Sequence, residues 1–347
     1  MSAGNGMMQK RGASVGLDRV RPLMPGLIAA MTVGLAARFL SEHYGAPVML
    51  MALLLGMALA FLSDAGSRTA PGIEFTAKSV LRFGVGLLGL GITAQQIAGA
   101  GLGVLALTFS GVALTLGLGI LGARLLGKSV AFGVLTGGAV AICGASAALA
   151  IASVLPKDNK DLERDTVFTV IAVTALSTLA MILYPIVGSA LGLSDYRMGV
   201  FFGATIHDVA QVVGAGYSVS DLAGSTATFV KLLRVALLVP LVVVLSLVFA
   251  RPGRTDGGPA PRLPIPFFVL GFAALVLIGS TDVLPPELVA ALLDLSRWCL
   301  VTAIAALGMK TSLRKLGDVG PRSIILVCAL TLTLAAFALA GIQLLLP

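Results

Sequence analysis

Apolar runs of roughly bilayer length follow one another along almost the whole chain, and short charged stretches separate them. A helix crosses a hydrocarbon core with about 20 mostly apolar residues. Eleven such runs are predicted, over roughly 23–40, 47–63, 79–94, 99–123, 130–155, 166–191, 198–217, 222–250, 265–281, 286–309 and 323–346. Pro47, Pro71, Pro156, Pro264, Pro285 and Pro321 fall at run ends, where a residue that cannot continue a helix belongs. The pattern predicts an all-α polytopic membrane protein with about eleven transmembrane helices.

The fifth run departs from this pattern. It reads GVLTGGAVAICGASAALAIASVLP from Gly133 to Pro156. Thr136-Gly137-Gly138 and Cys143-Gly144-Ala145-Ser146 stand where a plain membrane helix carries Leu and Ile. Glycine costs up to about 1 kcal/mol against alanine in a helix. Freed backbone groups persist at membrane depth only where protein or a watery cavity satisfies them. The run therefore predicts a helix broken near mid-membrane, offering N–H groups and a hydroxyl to a small solute. Gly and Ala at helical spacing also serve close helix packing, but packing does not need Thr136, Cys143 and Ser146.

Charge fixes a predicted orientation. With the N-terminus in the cytoplasm, 17 of the 24 Lys and Arg residues fall on the inside. The outside loops hold three, Lys157, Lys160 and Arg164, and the other four lie within runs. This asymmetry predicts N-terminus in and C-terminus out. Residues 1–21 are then a cytoplasmic tail without a signal-peptide cleavage pattern. The 251–264 stretch, rich in Pro and Gly, is an inside loop.

Composition narrows the class further. Hydrophobic residues make up 57% of the chain and charged residues 12%, where soluble domains carry about 25% charged residues. The net charge of +8 does not point to nucleic acid, because the basic residues sit between apolar runs rather than on one solvated face. Cys143, Cys299 and Cys328 all lie inside runs without metal-ligand spacing, so no disulfide framework, metal site or cofactor is predicted. No HExxH, GxGD or Ser–His pair of recognised spacing suggests an enzyme.

A weak self-similarity recurs five runs apart. TAKSVLRFGVGLLGL from Thr76 and TFVKLLRVALLVPLV from Thr228 each place Lys shortly before Leu-Arg and an apolar run. The second and seventh runs share a glycine at Gly56 and Gly203. The tenth, CLVTAIAALGMKTS, is then the counterpart of the glycine-broken fifth. An odd offset inverts the second copy, as in inverted-repeat transporters with substrate near the midplane. The predicted division is an extra first helix over 22–44, a first repeat over 45–192 and a second over 193–347.

Ionisable residues within membrane runs default to function. His207 and Asp208 lie in GATIHDVAQVVGAG, with Gln211 able to share their face. A His–Asp neighbour pair can take up a proton. Lys231 and Arg234 lie a turn apart in the eighth run and can offset an oxyanion, unless they snorkel or pair with Asp208 or Asp221. Arg38 with Glu42 and Arg297 with Asp294 read as local ion pairs. Lys78 and Arg82 read as inner-end basic residues.

GGAVAICGASAALA, GATIHDVAQVVGAG, the LRFGVGLLGLGIT run and the LGMKTSL segment resemble the YeiH-like bacterial membrane proteins, a family described as sulfate exporters. The resemblance covers nearly the whole chain from the second run, and the ICGASA string is its specific signal. It implies the cation:proton antiporter and bile acid:sodium symporter superfamily, with inverted five-helix repeats, panel and core domains, two broken crossing helices and an elevator-like movement. The fifth run, Thr136 to Ser146, matches the first broken helix. The tenth, around Ala303 to Lys310, takes the place of the second.

The expected function is secondary transport of a small anion, sulfate or a related oxyanion, across a bacterial inner membrane. Thr136, Cys143, Gly144, Ala145, Ser146, Lys231, Arg234, Gly308 and Met309 are the expected binding residues. His207, Asp208 and Gln211 are the expected proton-coupling residues. Expected partners are the anion, protons or sodium, the lipid bilayer and a second copy in a homodimer. The alternative is a sodium-coupled organic-acid symporter of the bile-acid type, although carboxyl and amide oxygens for a sodium site are scarce within the runs.

Overall fold

A computed structural model describes residues 21–91, 101–156, 161–249, 267–281, 283–311 and 321–346. All regular elements among these residues are helical. Among the described residues, six helical stretches are long and apolar enough to cross a membrane: 24–44, 101–125, 162–190, 221–248, 286–310 and 321–345. Large apolar side chains such as Phe39, Leu102, Leu121, Leu247, Leu332 and Leu344 are exposed. Such a surface suits hydrocarbon and would associate in water.

The described residues form two compact units. The first comprises the chain up to Gly84 together with the stretch from Asp294. It contains α1 (Met24–Tyr44), α2 (Val48–Ala58) and α3 (Ala70–Phe75), which continues through a π-helical turn, Thr76–Val80, into α4 (Leu81–Leu88), a helix that crosses the division at Gly84. Glycines set its close approaches. A Cβ on Gly26 would lie 2.4 Å from the Ile73 nitrogen, and one on Gly56 would lie 3.0 Å from the Gly308 Cα.

The second unit runs from Val85 to Leu293 and resumes at Leu313. It contains α5 (Gly101–Leu125), α6 (Val130–Ala141), α7 (Ala145–Val154), α8 (Leu162–Ala190), α9 (Asp195–Thr205), α10 (Val209–Tyr217), α11 (Asp221–Ala236), α12 (Leu238–Val248), α13 (Phe267–Gly279) and α15 (Pro321–Leu345). The helix between the last two, α14 (Pro286–Lys310), crosses the division between the units. Local sequence starts several helices. Ser129 Oγ accepts from Phe132 N–H at 3.1 Å to open α6, and Ser220 Oγ accepts from Ala223 N–H at 3.1 Å to open α11. The stripe Gly133–Gly137 lets α6 lie against α5, where a Cβ on Gly119 would meet the Gly137 Cα at 2.6 Å.

One expectation needs correction. The tenth run does not break: α14 is a continuous helix of 25 residues through Gly308. Its small residue serves packing on α2 instead. The second break lies in the seventh run, between α9 and α10.

Candidate functional site

Two interrupted helices build the site. The first is α6–α7, broken at Ile142–Gly144. Gly144 has φ 63° and ψ −121°, a conformation that a Cβ disfavours. The second is α9–α10, broken at Ile206–Asp208. Ile206 and Asp208 are both extended, with ψ of 135° and 145°. The two breaks touch: a Cβ on Gly144 would lie 3.5 Å from His207 Cβ.

Breaking a helix strands the carbonyls at the end of its first half. Here two cations from α11 satisfy them. Lys231 Nζ donates to the carbonyls of Ile142, Ile206 and His207 at 2.5, 2.9 and 2.5 Å. Arg234 Nε donates to Ala141 at 2.8 Å and Nη2 to Val140 at 2.8 Å. Its Nη1 donates to Gly203 at 3.0 Å and to Ile206 at 3.2 Å. Lys231 is 0% exposed and Arg234 1%. Both end on buried backbone carbonyls, which is the opposite of snorkelling. Carbonyl ends of helices carry partial negative charge, so cations are the fitting caps.

The two second halves start differently. At α10 the Asp208 side chain accepts from Ala210 N–H at 3.2 Å, and Ser177 Oγ accepts from Asp208 N–H at 3.0 Å. At α7 no side chain caps the N-terminus. Ser146 stands in this first turn and is exposed, and Ala145 is half-buried. Ser146 Oγ lies 3.0 Å from Cys143 Sγ and can donate to the Cys143 carbonyl at 3.3 Å. The Cys143 thiol is buried, within electrostatic reach of Lys231, Asp208 and Arg234.

The expected residues thus divide. Cys143, Gly144, Ala145, Ser146, His207, Asp208, Lys231 and Arg234 come together around the two breaks. Gln211 is buried on α10, its Nε2 donating to Thr178 Oγ1 at 3.4 Å. Thr136 is buried two turns earlier on α6, and its hydroxyl donates to the Phe132 carbonyl at 2.8 Å, so it offers no proton to a ligand. Gly308 and Met309 belong to the first unit, where the Met309 carbonyl accepts from Ser63 Oγ at 2.7 Å. Arg38–Glu42 and Arg297–Asp294 are local exposed ion pairs. Sequence reasoning missed Ser177, Thr178 and Thr331, which hold Asp208, Gln211 and His207. Ser and Thr are common in membrane helices, and only the contact distinguishes these three.

Residues 25–327 match a family model described as conserved hypothetical protein 698. A UPF0324 membrane protein of Chlorobaculum tepidum is 51% identical over 334 residues, 96% of this chain and 92% of the relative. The chain belongs to the UPF0324 membrane protein family. Another UPF0324 relative, named TauZ in Paracoccus denitrificans, is 51% identical over 94% of this chain and 96% of its own length. A third, from Rhizobium meliloti, is 52% identical over 91% and 92%. Membership of UPF0324, with six membrane-length apolar helices among the described residues, makes this a multi-pass helical membrane protein.

Proposed function

We propose that this UPF0324 protein is a secondary active transporter that moves a small anion, sulfate or a related oxyanion, by alternating access. The observation that carries the reading is the sign of the charge around the breaks. Two fully buried cations and the N-terminal end of α7 converge there, and together they favour an anion. In this reading the N–H groups of Ala145, Ser146 and Ala147, with the Ser146 hydroxyl, bind the anion directly. Lys231 and Arg234 act through their field, since their donors are bonded to backbone carbonyls. His207 and Asp208 supply the proton coupling.

The YeiH-like resemblance supplies the rest of the proposal: eleven spans in a bacterial inner membrane, N-terminus inside, related five-helix halves and an elevator-like movement. Paired interrupted helices are also how secondary transporters commonly build a midplane site. A sodium ion placed at the same breaks would be repelled by Lys231 and Arg234, which weighs against the bile-acid-symporter alternative.

Reconstitution in proteoliposomes tests the reading. Labelled sulfate should move, and Ser146→Ala should slow it while leaving the yield of folded protein unchanged. Absence of flux for every oxyanion tried, with and without a pH gradient, would sink the proposal. Stabilisation by sodium rather than by anions would favour the alternative.

A further inference from the structure

The chain has two histidines. His43 is exposed on α1, stacked on Phe39. His207 is 1% exposed inside the second unit, and its neighbours bear on which ring nitrogen carries the proton. Thr331 Oγ1 lies 2.8 Å from the Val327 carbonyl, and we place its single proton there, as in the i−4 bonds of Thr108, Thr115 and Thr169. It can then only accept, so its 3.0 Å bond with His207 Nε2 requires an N–H on Nε2. A neutral ring in this tautomer carries a bare lone pair on Nδ1. That atom is buried and has no donor. The backbone group facing the ring is the Val140 carbonyl, which is itself an acceptor. The two atoms can bond only when Nδ1 holds a proton.

The same device appears one turn on. With the Thr178 proton likewise on the Thr174 carbonyl, 3.0 Å away, Thr178 Oγ1 accepts from Gln211 Nε2 at 3.4 Å. This sets the amide orientation and leaves Gln211 Oε1 as a second buried acceptor without a donor.

We propose that His207 is a proton-binding group that takes its proton on Nδ1, keeps its Nε2–H on Thr331, and directs the new N–H to the Val140 carbonyl at the end of α6. The balance is simple: one proton from water joins the Nδ1 lone pair, and neutral imidazole becomes imidazolium. The proton thereby reaches the first break, because Val140 also accepts from Arg234 Nη2. Charged groups near the ring are Lys231 and Arg234 from α11, and Asp208 is the next residue in its own segment. The first break adds the Cys143 thiol. From α15 and α8 come the neutral Thr331, Ser177 and Thr178. An anion at the start of α7 offsets the two cations, so anion and proton should each favour the other's binding. That linkage rests on the proposed anion transport, whereas the tautomer and the proton site do not.

The test is nitrogen NMR of the full-length protein in lipid nanodiscs, with labelled histidine and His43→Gln to leave one signal. At about pH 8, above histidine's ordinary range, His207 should show a protonated Nε2 and a bare Nδ1. Acidification should protonate Nδ1 while the fold persists, and Thr331→Val should allow both neutral tautomers. A proton on Nδ1 rather than Nε2 at the start would overturn the proposal, as would a ring that stays neutral until the protein unfolds. Saturating sulfate should convert a neutral ring to the doubly protonated form. Sulfate that binds without changing the ring refutes the linkage. A protein that binds no sulfate yet shows the stated tautomer and titration refutes the sulfate reading and leaves the proton site standing.

Discussion

All three donors of Lys231 end on backbone carbonyls, and that decides what its loss should do. Lys231→Met leaves the buried Ile142 and His207 carbonyls unsatisfied, at about 1–3 kcal/mol each, while Arg234 still donates to Ile206. Purified Lys231→Met protein should be scarce and melt far below the parent, while Ser146→Ala melts with it. Equal melting of Lys231→Met and the parent would show that water replaces the ammonium. Gly144→Ala adds a Cβ at φ 63° and should cost about 1–3 kcal/mol of backbone strain. Thermal unfolding in detergent measures it, and an unchanged midpoint would mean that the turn relaxes. The sequence marked Lys231, Arg234, His207 and Asp208, because charge within an apolar run stands out. It did not mark their partners. A carbonyl of Ile142 or Ile206 has no residue-type signature, so the bonds that explain the cations were invisible until the chain was folded.

At the level of helices, small residues proved ambiguous in a physically simple way. Glycine weakens a helix and also lets another helix approach. In the fifth run the first effect wins at Gly144, while Gly133 and Gly137 serve packing on α5. In the tenth run packing wins outright, since Gly308 fits against Gly56 and the helix continues. The break at Ile206–Asp208 was legible only as polar chemistry, since His207 and Asp208 are as compatible with a helix as with a gap. Gly137→Leu should therefore prevent α6 from seating on α5 and abolish the folded protein, as size-exclusion profiles would show. A folded Gly137→Leu variant would refute that packing.

Glu74 on α3 gives a pH-dependent case in the first unit. Burial pushes its carboxyl up, but bonds from Lys310 and Lys78 outweigh this and hold it below the ordinary carboxylate range. A lowered carboxyl contributes stability above its unfolded value, and that stability is lost as pH falls through the folded one. Removing it should flatten the acid limb: Glu74→Gln should lose less stability than the parent between about pH 5 and pH 3. An identical acid response would show that the trio does not persist in solution.

For the whole molecule, the class was the easiest reading and the internal plan the hardest. Hydropathy identifies membrane helices because lipid leaves little alternative to a fully bonded apolar helix. How the chain divides into units depends on which small faces meet, and Leu- and Gly-rich runs repeat too loosely to say. Orientation remains testable at this scale. A reporter active only in the periplasm should be active when fused after Pro347 and silent when fused before Met1, and the reverse result would invert the proposed topology.

The Ile206 carbonyl accepts from both Lys231 and Arg234, and those two side chains also hold the first break. The two gaps are thus riveted through one pair of side chains on a third helix. Sliding one gap past the other would strip cations of their bonds in a dry interior, a step far costlier than moving the three pieces together. If a solute is carried, its cradle should travel as a single block, and the joints that bend should be sought elsewhere in the chain. Distance measurements across the two gaps should therefore stay constant while the protein cycles.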